Sequence, residues 1–167
     1  TFNYPHLCEA GVNFNFKEHS ILKPDFTKPM VPHFELDNNV IIFSLFPGIE
    51  EHLIHHMFDA PELRSIVMRS YGSGNAPQQP WLMNILRKVS ERDVIVVNIS
   101  QCISGQVEMN RYDTGYQLKD AGVISGYDST VEAAVTKLMY LQAKYKDTKT
   151  IRKYMNQSIA GEITIYN

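Results

Sequence analysis

Three apolar runs stand out along the middle of the chain: "VIIFSLF" (40–46), "SIVMRSY" (65–71) and "VIVVNIS" (94–100). Each is dominated by β-branched and large apolar residues, so both sides of the run are apolar. That pattern fits strands of a parallel sheet covered on both faces by helices. A short fourth strand is predicted near Gly122 to Ser125. Between the runs the period becomes helical. "IEEHLIHHMF" (49–58) follows Pro47-Gly48 and carries glutamates in its first turn, where they suit the positive end of the helix dipole. A second helix is predicted to open at Pro77, with Trp81, Leu82, Ile85, Leu86 and Val89 on one stripe. "STVEAAVTKLMYLQAKY" (129–145) begins with Ser129 and has Glu132 three residues on, a capping box. Its stripe is Val131, Ala134, Val135, Leu138 and Tyr145, and a last helix is predicted from Thr148 to Gln157. Strands alternating with helices predict an α/β domain with right-handed crossovers.

The first 35 residues break this rhythm. Four of the eight prolines (Pro5, Pro24, Pro29 and Pro32) fall there, and the apolar residues follow no clear period. Proline lacks a donor and fixes its own backbone, so this stretch is expected to be a linker or arm without regular structure. The domain proper is then expected over 36–167. The chain begins at Thr1, without Met or signal peptide, which reads as a piece of something larger.

Composition sets bounds on function. With 44% hydrophobic and 20% charged residues, the chain is of ordinary globular composition. A formal net charge of −2, with no run of one sign, argues against a nucleic-acid stripe or a polybasic membrane patch. No apolar segment approaches the ~18 residues that span a bilayer. The two cysteines, Cys8 and Cys102, form no CxxC or zinc pattern, and a reducing cytoplasmic compartment is the simpler expectation.

Candidate chemistry concentrates in "RSYGSGNAPQQPW" (69–81), a glycine-bearing turn after a predicted strand. A dinucleotide fingerprint needs a third Gly where Pro77 stands. It also needs an acid at the end of the next strand, where Asn98, Ile99 and Ser100 stand. No Lys-Ser/Thr follows, so a phosphate loop fails too. What remains is a turn without a role, or a loop whose Asn75 carboxamide, able to donate and accept, meets a polar zwitterionic ligand. Arg69, near the end of an apolar strand, must pair with a protein carboxylate or bind an anionic group. Cys102 follows a strand end and is either part of a site or a small buried thiol. His52 and His56 share a helix face at metal-binding spacing, but no further ligands cluster with them, and a solvated face is the better reading. There is no GxSxG, no HExxH and no nucleophile–base pair.

The motifs "VMRSYGSGNAPQ", "VVNISQCISGQV" and "AGVISGYDSTVEAAVTKLMYL", in this order and spacing, resemble the C-terminal half of bacterial type I L-asparaginases, the cytoplasmic members of the asparaginase/glutaminase family. The closing "GEIT" (161–164) is similar to the end of those proteins, and "NYPHLCEAG" and "LKPDF" to their interdomain connection, so the resemblance covers essentially the whole chain. It implies a three-layer Rossmann-like or flavodoxin-like domain with a small parallel sheet of about four strands. It also implies hydrolysis of L-asparagine to L-aspartate and ammonia, with no cofactor and no metal. The nucleophilic threonine and the Thr-Asp-Lys group that activates it belong to an N-terminal domain whose motifs are absent here, so no catalytic residue is expected in this chain. Asn75 matches the position that completes a neighbouring subunit's active site in a homodimer or tetramer. Periplasmic members bring an acidic residue from a stretch that here reads "NRYDTGYQL". No acid aligns cleanly there; Tyr112 or Asp113 takes that space, and Tyr112 is the second substrate-binding candidate. Arg69 and Cys102 match an effector site for asparagine. Two alternatives stand beside this reading. One is an amino-acid-sensing or assembly module, and the other is the related glutamyl-tRNA amidotransferase subunit.

Overall fold

A computed structural model describes residues 4–110 and 113–164. The three apolar runs become β3 (Val40–Ser44), β4 (Ser65–Ser70) and β5 (Ile95–Ser100), and the fourth strand is β6 (Ile124–Ser125). They form one sheet in the order β3-β4-β5-β6, with every neighbouring pair parallel. The crossovers pass through α1 (Glu51–Phe58), α2 (Pro80–Glu91) and α3 (Asp113–Asp120). All three step in the same direction across the sheet, and right-handed crossovers that do so bring their helices to the same face. The other face is covered by α4 (Val131–Lys144) and α5 (Thr148–Met155), which follow the last strand, and α4 lies across β3 and β4.

Strand alternation divides the core accordingly. Phe43, Ile66, Met68 and Val96 join Ile54 and Leu86 on one side. Val67, Ile95, Val97 and Ile99 join Leu138 and Ile151 on the other. This two-sided burial is why the runs read as continuously apolar. Each fully buried Leu such as Leu86 or Leu138 contributes roughly 2 kcal/mol in transfer free energy.

Several local expectations need correction. The proline-rich arm contains a β-hairpin, β1 (Cys8–Ala10) paired antiparallel with β2 (Phe14–Phe16). The prolines flank it rather than interrupt it, and Gly11 donates its N–H to the Asn13 carbonyl to close the turn. The arm is anchored where it meets the sheet. The Asp37 N–H donates to the Met139 carbonyl on α4, and the Asp37 carboxylate takes Arg64 at 2.6 Å.

Helix α2 starts at Pro80, its first residue, rather than Pro77, because residues 71–75 close on themselves first. The cap of α4 is Thr130, not Ser129: its hydroxyl accepts from the Ala133 N–H at 3.2 Å. Ser129 is buried, and its Oγ has no partner. Glu132 therefore falls one position short of the capping-box register. Tyr145 lies just past the end of α4, and α5 stops at Met155 rather than Gln157. Helix α3 has no strong sequence signature, since it is short and polar on most sides and carries Gly115. None of the described helices is long and apolar enough to cross a membrane.

Candidate functional site

The turn after β4 is a closed loop. The Tyr71 N–H donates to the Asn75 carbonyl at 2.9 Å, and the Gly74 and Asn75 N–H groups both donate to the Tyr71 carbonyl, at 3.0 and 2.8 Å. Gly72 and Gly74 make this possible with φ values of 50° and 107°. The three intervening carbonyls point into the protein. Gly72 accepts from Ser100 Oγ at 2.5 Å, Ser73 from the Glu108 N–H at 2.9 Å, and Gly74 from Asn98 Nδ2 at 3.1 Å. A phosphate cradle needs free backbone donors aimed outward. Here the Gly74 and Asn75 donors are spent inside the turn, and α2 begins only five residues after Asn75, so the geometry opposes the nucleotide reading.

Asn75 is half-buried and closes this turn opposite Tyr71. Its Oδ1 accepts from Thr114 Oγ1, on the first turn of α3, at 2.9 Å, and its Nδ2 has no partner among the described residues. Asn98 on β5 is fully buried on the α1–α3 side and supports the turn from below. Its own Oδ1 lacks a partner among the described residues.

Arg69 lies on the opposite side of the sheet. It is one residue from Met68 on β4 and so points to the α4 face. Its Nη1 donates to Ser44 Oγ at 3.4 Å, and its buried Nε has no partner. No carboxylate lies within ion-pair distance of it among the described residues. Glu132, in the first turn of α4, has its carboxyl held below the usual range. The causes are its own backbone N–H and Thr130 first, with Arg69 a smaller contributor.

Cys102 is exposed, which removes the reading as a buried thiol. Its N–H donates to Ser100 Oγ at 3.0 Å. The preceding Gln101 fastens this loop to β4 and to the residue after β3, with Nε2 donating to the Arg69 carbonyl at 2.8 Å and the Leu45 carbonyl at 2.7 Å. The fold thus brings the backbones of Arg69 and the Cys102 loop together at the C-terminal edge of the sheet, though no hydrogen bond joins the two side chains.

Tyr112 lies outside the described residues. His52 and His56 are exposed on α1, and no group of three metal-ligating side chains occurs among the described residues. Thr114, Asn98 and Gln101 escaped the sequence reading. Asn98 and Gln101 lie within the motif "VVNISQCISGQV" without being singled out, and Thr114 lies in "DTG" at 113–115, a small polar pair before a glycine. A cavity of about 590 Å³ opens at the far edge of the sheet, between Val107, Lys119, Ile124, Tyr127 and Asn156, and none of Arg69, Asn75 or Cys102 lines it.

The sequence profile of the glutaminase/asparaginase C-terminal domain matches residues 39–155. L-asparaginase 1 of Escherichia coli is 39% identical over 162 residues, which is 97% of this chain and 47% of that protein. The 60 kDa lysophospholipase of Homo sapiens is 34% identical over 159 residues, 95% of this chain and 27% of that protein. The crystal structure of L-asparaginase I from Vibrio cholerae superposes with a TM-score of 0.90 at 37% identity, covering 98% of this chain and 49% of that one. The chain therefore spans about half the length of the asparaginases it matches. With the fold, the profile and the relatives in agreement, the chain belongs to the glutaminase/asparaginase C-terminal domain family.

Proposed function

We propose that this chain is the C-terminal domain of an L-asparaginase, which hydrolyses L-asparagine to L-aspartate and ammonia, and that Asn75 completes the active site of a neighbouring subunit. The observation that carries this reading is the presentation of Asn75. A closed turn with three tethered carbonyls fixes Asn75, and Thr114 holds its Oδ1 while the two Nδ2 donors stay free among the described residues. A turn without a role has no need of that support.

In this reading the nucleophilic threonine comes from a preceding domain. Its hydroxyl attacks the side-chain carboxamide carbon of asparagine, ammonia leaves, and water cleaves the resulting ester to aspartate. Backbone donors stabilise the oxyanion. This domain supplies binding and orientation, not the attacking group, and Tyr112 is a second proposed contact. Residues 1–35 serve as the interdomain arm and 36–167 as the domain. The apolar side chains strung along the arm and its junction with the domain, such as Phe26 at 91% exposure and Phe34 at 89%, offer the surface that a preceding domain or subunit would cover.

Arg69 and Cys102 form a separate effector site for asparagine in this proposal. It is supported by the unpartnered guanidinium Nε on the sheet face opposite Asn98 and the Asn75 turn. A planar guanidinium suits an α-carboxylate.

The test is steady-state kinetics of the full-length protein. Asn75→Ala lowers kcat/KM on the order of a hundredfold, the scale for losing one preorganised donor in a water-excluded site. Wild-type kinetics in that variant overturn the assignment.

A further inference from the structure

We propose that Thr114 is a positioning residue that commits Asn75 to donating. The group Asn75 meets is then a hydrogen-bond acceptor, the α-carboxylate end of the bound amino acid rather than its ammonium. This rests on the reading of Asn75 given above.

A carboxamide has two nearly isosteric ends, one accepting and one donating. Left free, it presents either. Here Thr114 Oγ1 donates to Asn75 Oδ1 at 2.9 Å and occupies the accepting end. What faces outward is the NH2 group, which can only donate. An ammonium needs an acceptor, and the NH2 end offers it only donors; a carboxylate needs donors and finds two on that end.

The framework around Thr114 holds this arrangement. Gly115 lets the first turn of α3 lie against the backbone of Met109, since a Cβ there would collide with the Met109 carbonyl. Tyr116 Oη donates to the Asn110 carbonyl at 2.9 Å, and Lys119 Nζ reaches Asn110 Oδ1 at 3.4 Å. The same 106–110 segment holds the turn of Asn75 through the Glu108 N–H to the Ser73 carbonyl. Turn and helix are therefore fixed to one common strut, and the Thr114–Asn75 distance is set by it.

The experiment is a double-mutant cycle on the full-length protein, read as kcat/KM for asparagine with unfolding temperatures measured alongside. Thr114→Val, which keeps the shape and removes the hydroxyl, is expected to lower kcat/KM about tenfold, the scale of one lost hydrogen bond. Thr114→Ser restores most of the loss. In an Asn75→Ala background, Thr114→Val adds nothing, because its effect passes through Asn75. Asn75→Asp, which presents an acceptor in place of the donor, is no better than Asn75→Ala.

An equal loss from Thr114→Val in the Asn75→Ala background overturns the inference, as does wild-type activity in Asn75→Asp. If Thr114→Val does not fold, Thr114→Ala against Thr114→Ser runs the same cycle. If Asn75→Ala itself is without effect, the reading of Asn75 fails. If Asn75→Ala is severe and Thr114→Val is silent, only the role of Thr114 fails.

Discussion

Gly74 and Gly72 sit two residues apart in the same turn, yet they answer differently to substitution. A Cβ on Gly74 would lie 2.8 Å from Val107 Cγ1 and 3.3 Å from Asn98 Nδ2, at a φ of 107° that L-residues rarely adopt. A Cβ on Gly72 would meet nothing within 4 Å, and its φ of 50° lies in the left-handed region that asparagine tolerates. Gly74→Ala is therefore expected to destabilise the chain by about 2 kcal/mol, combining backbone strain with a shifted Asn98. For a domain of this size that is a fall in unfolding temperature of roughly 5 °C. Gly72→Asn should stay within about 0.5 kcal/mol of the parent. Thermal unfolding of the two variants side by side checks the contrast, and equal effects contradict it. The glycines were visible in the sequence. Which of them is sterically required was not, because Val107 and Asn98 approach Gly74 from segments more than twenty residues away.

At the scale of elements, α4 and the C-terminal tail are joined by one buried pair. Lys137, 5% exposed on α4, donates through Nζ to the carbonyls of Met155 at 3.3 Å and Gln157 at 2.5 Å, and to Glu162 Oε1 at 2.5 Å. Glu162 also accepts from the N–H groups of Ile159 and Ala160. Burial pushes the Glu162 carboxyl up, but Lys137 and the surrounding N–H donors outweigh it and hold the carboxyl below its usual range. A depressed carboxylate stabilises the folded state above the ordinary glutamate value, about 4.3. That contribution is lost as pH falls through the lower folded-state value.

Glu162→Gln leaves Lys137 buried without its counter-charge and is expected to cost about 3 kcal/mol at neutral pH. The gap should close between about pH 5 and the acid limit, where the wild-type carboxyl is itself neutral. Denaturant unfolding across that range reads it, and a gap that does not change with pH is the contrary result. Periodicity located α4 to within two residues at its start and one at its end. It carried no sign that Lys137 is buried, since the tail that buries it lies about twenty residues on.

For the whole molecule, the ordering of strands decides where chemistry can occur. Asn75 and Arg69 leave β4 from its C-terminal end, but the turn is drawn toward Asn98 on the α1–α3 side while Arg69 points toward α4. The two ends of the described chain also meet there. Asp128, just after β6, accepts from Tyr4 Oη at 3.4 Å and from the Thr164 N–H at 2.7 Å. Everything proposed for function is therefore arranged along the rim, and no nucleophile–base pair accompanies it among the described residues. The expectation is that residues 1–167 alone release no ammonia from asparagine. Any binding of asparagine seen by calorimetry is expected to disappear in Arg69→Ala. Clear turnover by the chain alone sinks the first claim, and binding unchanged by Arg69→Ala sinks the second.

The α/β class, the three long strands and α1, α2, α4 and α5 were legible because they are written in local period and apolar content, which short-range sterics and burial read directly. Arg69, Asn75 and Cys102 were legible as candidates from their places at strand ends and in the glycine-bearing turn, and the motif resemblance supplied the roles expected of them. The rest depended on contacts that no local pattern encodes. The polar helix α3 has a weak period and is held by its neighbours, whereas the exposed hairpin in the proline-rich arm rests on the pairing of its own two strands. The cap at Thr130 was a choice between adjacent residues that backbone geometry made. The pairing of Thr114 with Asn75 joins residues 39 apart in the chain. Such a bond exists only once α3 has docked beside the turn after β4, because its strength depends on a distance and an angle that the folded backbone alone supplies.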